Sequence, residues 1–336
     1  MERYSRQTVF SGIGADGQAR LADATVAILG LGATGSAIFN ALLRAGVGRL
    51  RIVDRDWVEE HNLPRQTLYT EADARALTPK AIAAAEHGRQ INGAAAITPL
   101  VRDLTPATLA EAIGDAQVVL DGSDNMELRY LINDWCVRER VPWVYVGVLM
   151  AHGMTATLRP GGPCLRCIFP HAPAPGSGPT CETAGVVGPV VGVLANLAAA
   201  EALKLLTGKG ETNPGLLAID AWSWSFDQLP VPPRRADCPA CARGEYEFLD
   251  ADAQRSAALC GRDAVQVRPS RPASLDLGGL GERLQAAGIA VRSNRHLLRF
   301  AADGCTLTVF PDGRAIVAGT EEEAVARKLY ARWVGV

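Results

Sequence analysis

The sequence predicts an α/β fold built on a doubly wound, mostly parallel sheet. Strand-like and helix-like segments alternate along the chain, and the first strand runs into a Gly-x-Gly-x-x-Gly turn at Gly30, Gly32 and Gly35, a Rossmann-like pairing. Two Cys-x-x-Cys pairs add the prospect of a four-cysteine zinc site. The 336 residues leave room for one large domain and a smaller unit.

Residues 26–30 read as a buried strand closing on glycine, followed by an Ala/Leu-rich helix to about residue 45 and a second strand over 50–54. This is one βαβ unit, whose short apolar runs suit a parallel sheet covered on both faces. Further strands are expected at 117–121 and 143–148, separated by a helix over 128–140. A hairpin-like region follows at 146–159, then a Pro/Gly-rich surface loop at 169–178. The helix of 185–206 leads to a last pair of strands at 216–220 and 222–226.

Composition shifts after Cys241. The expected organisation is a main domain over 1–245, a linker over 246–274 and a small α+β module over 275–336. Within the module, a helix is expected at 280–287 and strands at 297–300, 305–309 and 315–317. A Pro311-Asp-Gly-Arg314 turn precedes the last strand, and a final helix begins at Glu321.

Hydrophobic residues make up 48% of the chain and charged residues 21%, with a formal net charge of −2. Such a balance favours neither nucleic acid nor an anionic membrane as partner. The most apolar stretch, 185–206, carries Asn196, Glu201 and Lys204 and reads as a buried helix. The N-terminal MERYSRQTVF lacks the apolar core of a secretory signal. Length and the missing signal argue against reading the eight cysteines as a disulfide framework, so a reducing cytoplasm is the expected setting.

Glycines in the turn let backbone N–H groups approach phosphates at the positive end of the following helix. Asp54 stands at the end of the next strand, where an acid that binds ribose hydroxyls belongs. The fingerprint alone serves ATP and NAD equally, so an NAD-dependent oxidoreductase is the rival reading. Asp56, the Asn62-Leu-Pro-Arg-Gln66 segment, Lys80, and the Asp121-Gly-Ser-Asp-Asn125 strand end tip the balance. A triphosphate has more charge to neutralise than a dinucleotide, and Arg, Lys and a carboxylate-held Mg2+ are the usual means.

These residues, with Arg3-Tyr-Ser-Arg-Gln7 and Pro79-Lys80, form an ordered set over roughly residues 1–245 that resembles the ThiF/MoeB/HesA family of ubiquitin-activating-like enzymes. The resemblance implies ATP-dependent adenylation of the C-terminal glycine carboxylate of a ubiquitin-like sulfur-carrier protein. It implies that Asp54 holds the ribose, that Arg65 and Lys80 hold the triphosphate, and that Asp124 binds Mg2+ beside Asn125. Asn62 and Asp56 then belong to the nucleotide pocket, and Arg6 reaches the phosphates of a neighbouring subunit in a homodimer. A carrier ending in Gly-Gly, of the type that serves thiamine or molybdopterin synthesis or tRNA thiolation, is the implied partner. A cysteine desulfurase or rhodanese is the implied type of sulfur donor. Two positions depart from the pattern: His61 replaces a small hydroxyl residue, and Pro64 replaces the common Gln.

Cys164, Cys167, Cys238 and Cys241 supply four thiolates at the spacing of a closed structural zinc site. Cys181 lies between the Pro/Gly-rich loop and a helix, where a helix dipole would lower its thiol pKa. It coincides with the family's candidate sulfur-handling cysteine, although adenylation itself needs no cysteine. The C-terminal module lacks the Cys-containing loop of a rhodanese and is expected to assist carrier docking or dimer packing.

Overall fold

A computed structural model describes residues 2–174, 178–250, 256–258, 263–269 and 274–335, in two compact units, Met1–Ala251 and Asp252–Val336. The first unit opens with α1 (Ser5–Val9) and α2 (Gly14–Asp23), then β1 (Thr25–Leu29), α3 (Ala33–Ala45) and β2 (Arg49–Asp54). α4 (Glu71–Arg75), α5 (Lys80–Ile91), β3 (Ala96–Val101), α6 (Pro106–Ile113) and β4 (Val118–Asp121) follow. Next come α7 (Met126–Glu139), β5 (Trp143–Leu149), β6 (His152–Leu158), α8 (Leu165–Ile168) and α9 (Gly188–Thr207). β7 (Leu216–Asp220), β8 (Ser225–Leu229) and α10 (Glu247–Asp250) complete the unit.

All the strands join one eight-stranded sheet in the order β3-β2-β1-β4-β5-β6-β7-β8. The run from β3 to β5 is parallel and the rest antiparallel, which gives the expected mostly parallel, doubly wound sheet. β1 is buried along its whole length, because helices cover both faces. One core, built around Ile28, Phe39, Leu42 and Ile52, lies under α3, α5 and α9; the other gathers Leu29, Tyr130 and Trp143 under α6 and α7. By length and composition α9 could cross a membrane, yet its Val190, Leu194, Ala195, Ala198 and Ala202 are buried in the first core.

Chain order reverses between β1 and β4, the switch point where open α/β sheets bind ligands. Three glycines meet there. Gly30 adopts φ +93°, and a Cβ on it would stand 2.8 Å from the carbonyl carbon of Gly122. A Cβ on Gly35 would overlap the Gly30 carbonyl oxygen, and one on Gly122 would overlap that same oxygen. Only side-chain-free backbone lets the turn after β1, the first turn of α3 and the end of β4 pack this closely.

Sequence reading missed β3 because Pro99 interrupts it, but β3 is the sheet edge, where a missing N–H costs little. The strand expected at 222–226 is displaced to Ser225–Leu229. The Asp220 carboxylate accepts N–H bonds from Trp222 and Ser223, and this side-chain turn holds residues 221–224 out of the strand.

The second unit is an antiparallel sheet ordered β11-β12-β13-β14-β10-β9, with two helices. Its elements are β9 (Ser256–Ala258), β10 (Ala264–Val267), α11 (Leu277–Ala286), β11 (Val291–Ser293), β12 (Leu298–Ala302), β13 (Cys305–Val309), β14 (Ala315–Ala318) and α12 (Glu323–Trp333). The stretch 246–274 expected as a linker therefore contributes two strands, since β10 pairs with β14 and buries Val265 and Val267 in the unit's core. Parts of that stretch, including Cys260, lie outside the described residues.

Gly35→Ala is expected to cost roughly 2–3 kcal/mol, because the added methyl has no room and backbone must shift. Thermal unfolding should show a melting point several degrees lower; an unchanged value would refute the packing role given to this glycine.

Candidate functional site

The end of β2 supports the turn after β1. The Asp54 carboxylate accepts N–H bonds from Leu31 and from Asp56, both at 2.7 Å. Burial, and secondarily the neighbouring Asp56, push the Asp54 carboxyl above its usual value, while Lys80 and the two N–H donors pull against that. Each oxygen keeps lone-pair capacity for a further donor such as a ribose hydroxyl. On its other side Leu31 accepts a 2.8 Å bond from the buried Tyr69 hydroxyl. The peptide that opens the glycine turn is thus held by a side chain at each end. Tyr69 escaped sequence reading because a lone tyrosine carries no spacing signal.

Lys80 starts α5 after Pro79, and its backbone N–H bonds to the Asp56 carbonyl. The side chain is buried, with its ammonium 3.6 Å from the Asp56 carboxylate. Asn62 is also buried, and its amide oxygen accepts the Glu59 N–H, closing the loop between β2 and α4. Arg65 folds back onto the His61 carbonyl at 2.7 Å. His61 itself is exposed beside Glu59, and Pro64 lies against the start of α9 at Gly188.

Asp124 is exposed after β4, with neither hydrogen bond nor ion pair among the described residues. Asn125 is the N-cap of α7, its side chain accepting the Leu128 N–H at 3.1 Å. Beneath this loop lies an ion pair that sequence reading did not identify. Arg129 Nε donates to Asp121 at 2.8 Å, and Nη2 donates to the carbonyls of Ser123 and Val146. Both side chains are buried, and the guanidinium stacks over Tyr145. A sequence signal existed, because Arg129 follows Asp121 on the buried face of a helix, where an unpaired charge is costly.

Cys181 is half-buried, its thiol 3.7 Å from the Val148 carbonyl. Burial first, and Asp124 second, raise its pKa, while Arg65 and Arg129 lower it. The expected depression by a helix dipole is overturned. α9 starts only at Gly188, and a dipole's influence fades within the first turn. The same electrostatics place Arg65, Asp124 and Arg129 around Cys181 at the edge of the sheet where the parallel strands end.

The structure therefore brings Gly30, Gly32, Gly35, Asp54, Asp56, Lys80, Arg65, Asp124 and Cys181 to this edge. It does not bring in Arg6, which is exposed on α1 without a partner among the described residues.

Cys164, Cys167, Cys238 and Cys241 come together as expected, with all four sulfurs within 4.8 Å of one another. The Cys164–Cys238 and Cys167–Cys241 separations are 3.6 and 3.5 Å. A tetrahedral ion with metal–sulfur bonds of about 2.3 Å sets its ligands about 3.8 Å apart, so the cluster fits one such ion. Burial and the adjacent thiols push Cys241 up to about 11, a penalty that a bound dication reverses. Around the cluster, Arg166 pairs with Asp134 at 3.5 Å and Glu247 at 2.5 Å, and Leu165 N–H bonds Asn133.

Comparison with known proteins gives a consistent picture. Residues 4–240 match the ThiF family. The chain is 41% identical over 336 residues to the sulfur carrier protein ThiS adenylyltransferase of Bacillus subtilis, covering 99% of each chain. It is 38% identical over 251 residues to the SAMP-activating enzyme E1 of Haloferax volcanii, covering 74% of this chain and 92% of that one. Escherichia coli MccB, in a crystal structure with ATP, shares the fold with a TM-score of 0.62 at 22% identity, over 72% of this chain and 74% of that one.

Two outcomes are expected from the cysteine region. Purified protein should carry one tightly held metal ion per chain, and Cys238→Ser should lose it with a lower melting point; metal analysis showing none in either protein would refute the site. Burial, despite Arg166, raises the Asp134 carboxyl to about 6. A carboxyl raised on folding contributes stability that is full below about pH 4 and lost as pH rises through about 6. Against Asp134→Asn, the wild type should lose on the order of 3 kcal/mol across that window, measured by denaturant unfolding; a constant difference would refute it.

Proposed function

We infer the reaction from one premise: this chain belongs to the ThiF family. It is an adenylyltransferase that uses ATP to activate the C-terminal carboxylate of a ubiquitin-like sulfur-carrier protein. The observation that carries this reading is the meeting of a phosphate-binding turn with Lys80, Arg65 and an uncommitted Asp124 along one sheet edge. An NAD-dependent oxidoreductase would use the turn and Asp54 but leave those three without a shared purpose.

In the proposed step, a carboxylate oxygen of the carrier's terminal glycine bonds to the α-phosphorus of ATP, and the bond from that phosphorus to the β-phosphate oxygen breaks. Pyrophosphate leaves and an acyl adenylate remains. Both reactants are anions, so rate depends on positioning and on neutralising charge. Asp54 orients the ribose, and the first N–H groups of α3 receive phosphate oxygens. Lys80 and Arg65 release Asp56 and the His61 carbonyl to reach the triphosphate. Asp124, with both oxygens available, would hold a Mg2+ ion, whose charge offsets that of the phosphates.

Further proposals complete the reading. Arg6 enters the site of a second subunit in a homodimer; its freedom on α1, beside the exposed Val9 and Phe10, supports this. The metal of the four-cysteine cluster is zinc, which suits four thiolates in a closed site. Trp222 and Trp224, exposed in the β7–β8 turn at the same sheet edge, offer apolar area to the carrier body. A carrier of the ThiS type, loaded by a separate sulfur donor, fits the relative that aligns over nearly the whole chain.

The test is ATP–pyrophosphate exchange with purified carriers ending in Gly-Gly, each with and without the last glycine. Exchange should require the intact tail, and Asp124→Ala should lower it by about a hundredfold or more. Tight NAD binding without exchange would overturn the activity, and full exchange by Asp124→Ala would overturn the metal role.

A further inference from the structure

Two buried donors beside β5 lack an adequate acceptor among the described residues. Tyr145 is 6% exposed, its ring edge-on to Trp143 with centroids 6.4 Å apart and 6.0 Å from the ring of Phe169. The Arg129 guanidinium covers it at 5.2 Å. The Tyr145 hydroxyl has no hydrogen-bond partner among the described residues. Burial pushes its pKa up, so it keeps its proton and remains a donor. The second donor is Arg129 Nη1, for which the Met126 sulfur at 3.1 Å is the single acceptor among the described residues. A thioether is a weak acceptor, and this nitrogen carries more than one N–H bond.

Both donors meet over Gly147. Residues 145 and 147 share one face of β5, and Tyr145 leans toward the strand's C-terminal end across space that a side chain at 147 would fill. A Cβ on Gly147 would stand 2.5 Å from Tyr145 Oη and 3.7 Å from Arg129 Nη1. The other acceptors nearby are already taken. Arg129 Nε holds Asp121 and Nη2 holds the Ser123 and Val146 carbonyls, while the Thr155 hydroxyl donates to the Tyr145 carbonyl. Buried donors without acceptors cost free energy, which a bound molecule carrying an acceptor relieves.

The position narrows what that molecule is. β5 lies beyond β4 from the glycine turn, so Gly147 is two strands, about 10 Å, away from β1. One residue past Gly147 the Val148 carbonyl faces the Cys181 thiol, and Met150 bonds through its backbone to Gly185 and Val187. The donors thus belong to the edge between the loop after β4 and the Cys181 segment, to the side of the nucleotide turn. A tail of two glycines brings carbonyls there without side chains to collide. Its terminal carboxylate must stay free to attack phosphorus, which leaves a peptide carbonyl as the acceptor.

We propose that Tyr145 binds the carrier's tail, its hydroxyl donating, alongside Arg129 Nη1, to a peptide carbonyl oxygen next to the terminal glycine. The inference rests on the reading that a Gly-Gly carrier is the substrate, and it deepens that reading by naming a group that recognises the tail.

The experiment compares wild type with Tyr145→Phe, which keeps the ring and removes only the hydroxyl. Three quantities are measured on the full chain: the melting temperature, the affinity for Mg-ATP, and the affinity for a purified carrier with and without its two terminal glycines. Melting temperature and Mg-ATP affinity should be unchanged, while affinity for the intact carrier falls about threefold to tenfold, as for one neutral hydrogen bond. Both proteins should bind the shortened carrier equally. Unchanged affinity for the intact carrier overturns the assignment, as does an equal loss with the shortened one, which would place the contact on the carrier's body. A drop in melting temperature or in Mg-ATP affinity also counts against it, by giving the hydroxyl an internal or nucleotide partner. Tail-dependent binding that needs Tyr145, in a wild type that catalyses no exchange, would sink the adenylation reading and leave the tail contact standing. Exchange with unaltered binding by Tyr145→Phe would do the reverse.

Discussion

The tightest constraint in this molecule is the contact of Gly30, Gly35 and Gly122, where three pieces of backbone approach to distances that no side chain permits. It fixes the first turn of α3 against the ends of β1 and β4, at the point where the order of the sheet reverses. The residues around the glycine turn take their positions from it. The N–H groups of α3 point outward from this junction, Asp54 braces the turn from β2, and Asp124 follows Gly122 by two residues on the loop that completes the contact.

Two sets of charges surround that junction. Arg129 and Asp121 form a buried pair that serves the architecture, since the guanidinium also ties the Ser123 and Val146 carbonyls and stops the loop after β4 from drifting. Lys80 is as buried as Arg129, its ammonium 3.6 Å from the Asp56 carboxylate, and Arg65 rests on the His61 carbonyl. Removing one member of the Arg129–Asp121 pair would strand a buried charge.

Much of this was legible in the sequence, for identifiable reasons. The glycine fingerprint and the two Cys-x-x-Cys pairs announce themselves because their chemistry demands fixed spacing, and the structure brings each set together. Alternating segments gave the sheet class because parallel strands need crossover helices. The less visible parts were those decided by tertiary partners. Pro99 hid an edge strand, the Asp220 side chain shifted β8, and a sheet partner in β14 claimed β10 from an apparent linker. Within the site, Tyr69 and Arg129 act through contacts across the fold that no local motif records. The thiol environment of Cys181 was misjudged because it depends on where α9 begins, a boundary that apolar periodicity locates poorly.

The cysteine cluster has a mechanical corollary. Its two halves are 74 residues apart in the chain, so a bound ion would close everything between them, including the Cys181 segment, α9 and the β7–β8 hairpin, into a single tethered excursion. That excursion touches the phosphate side where Gly188 meets the backbone of Pro64 and Arg65. An ion that tethers both ends would therefore couple the Cys181 segment, through Gly188, to the backbone of Pro64 and Arg65.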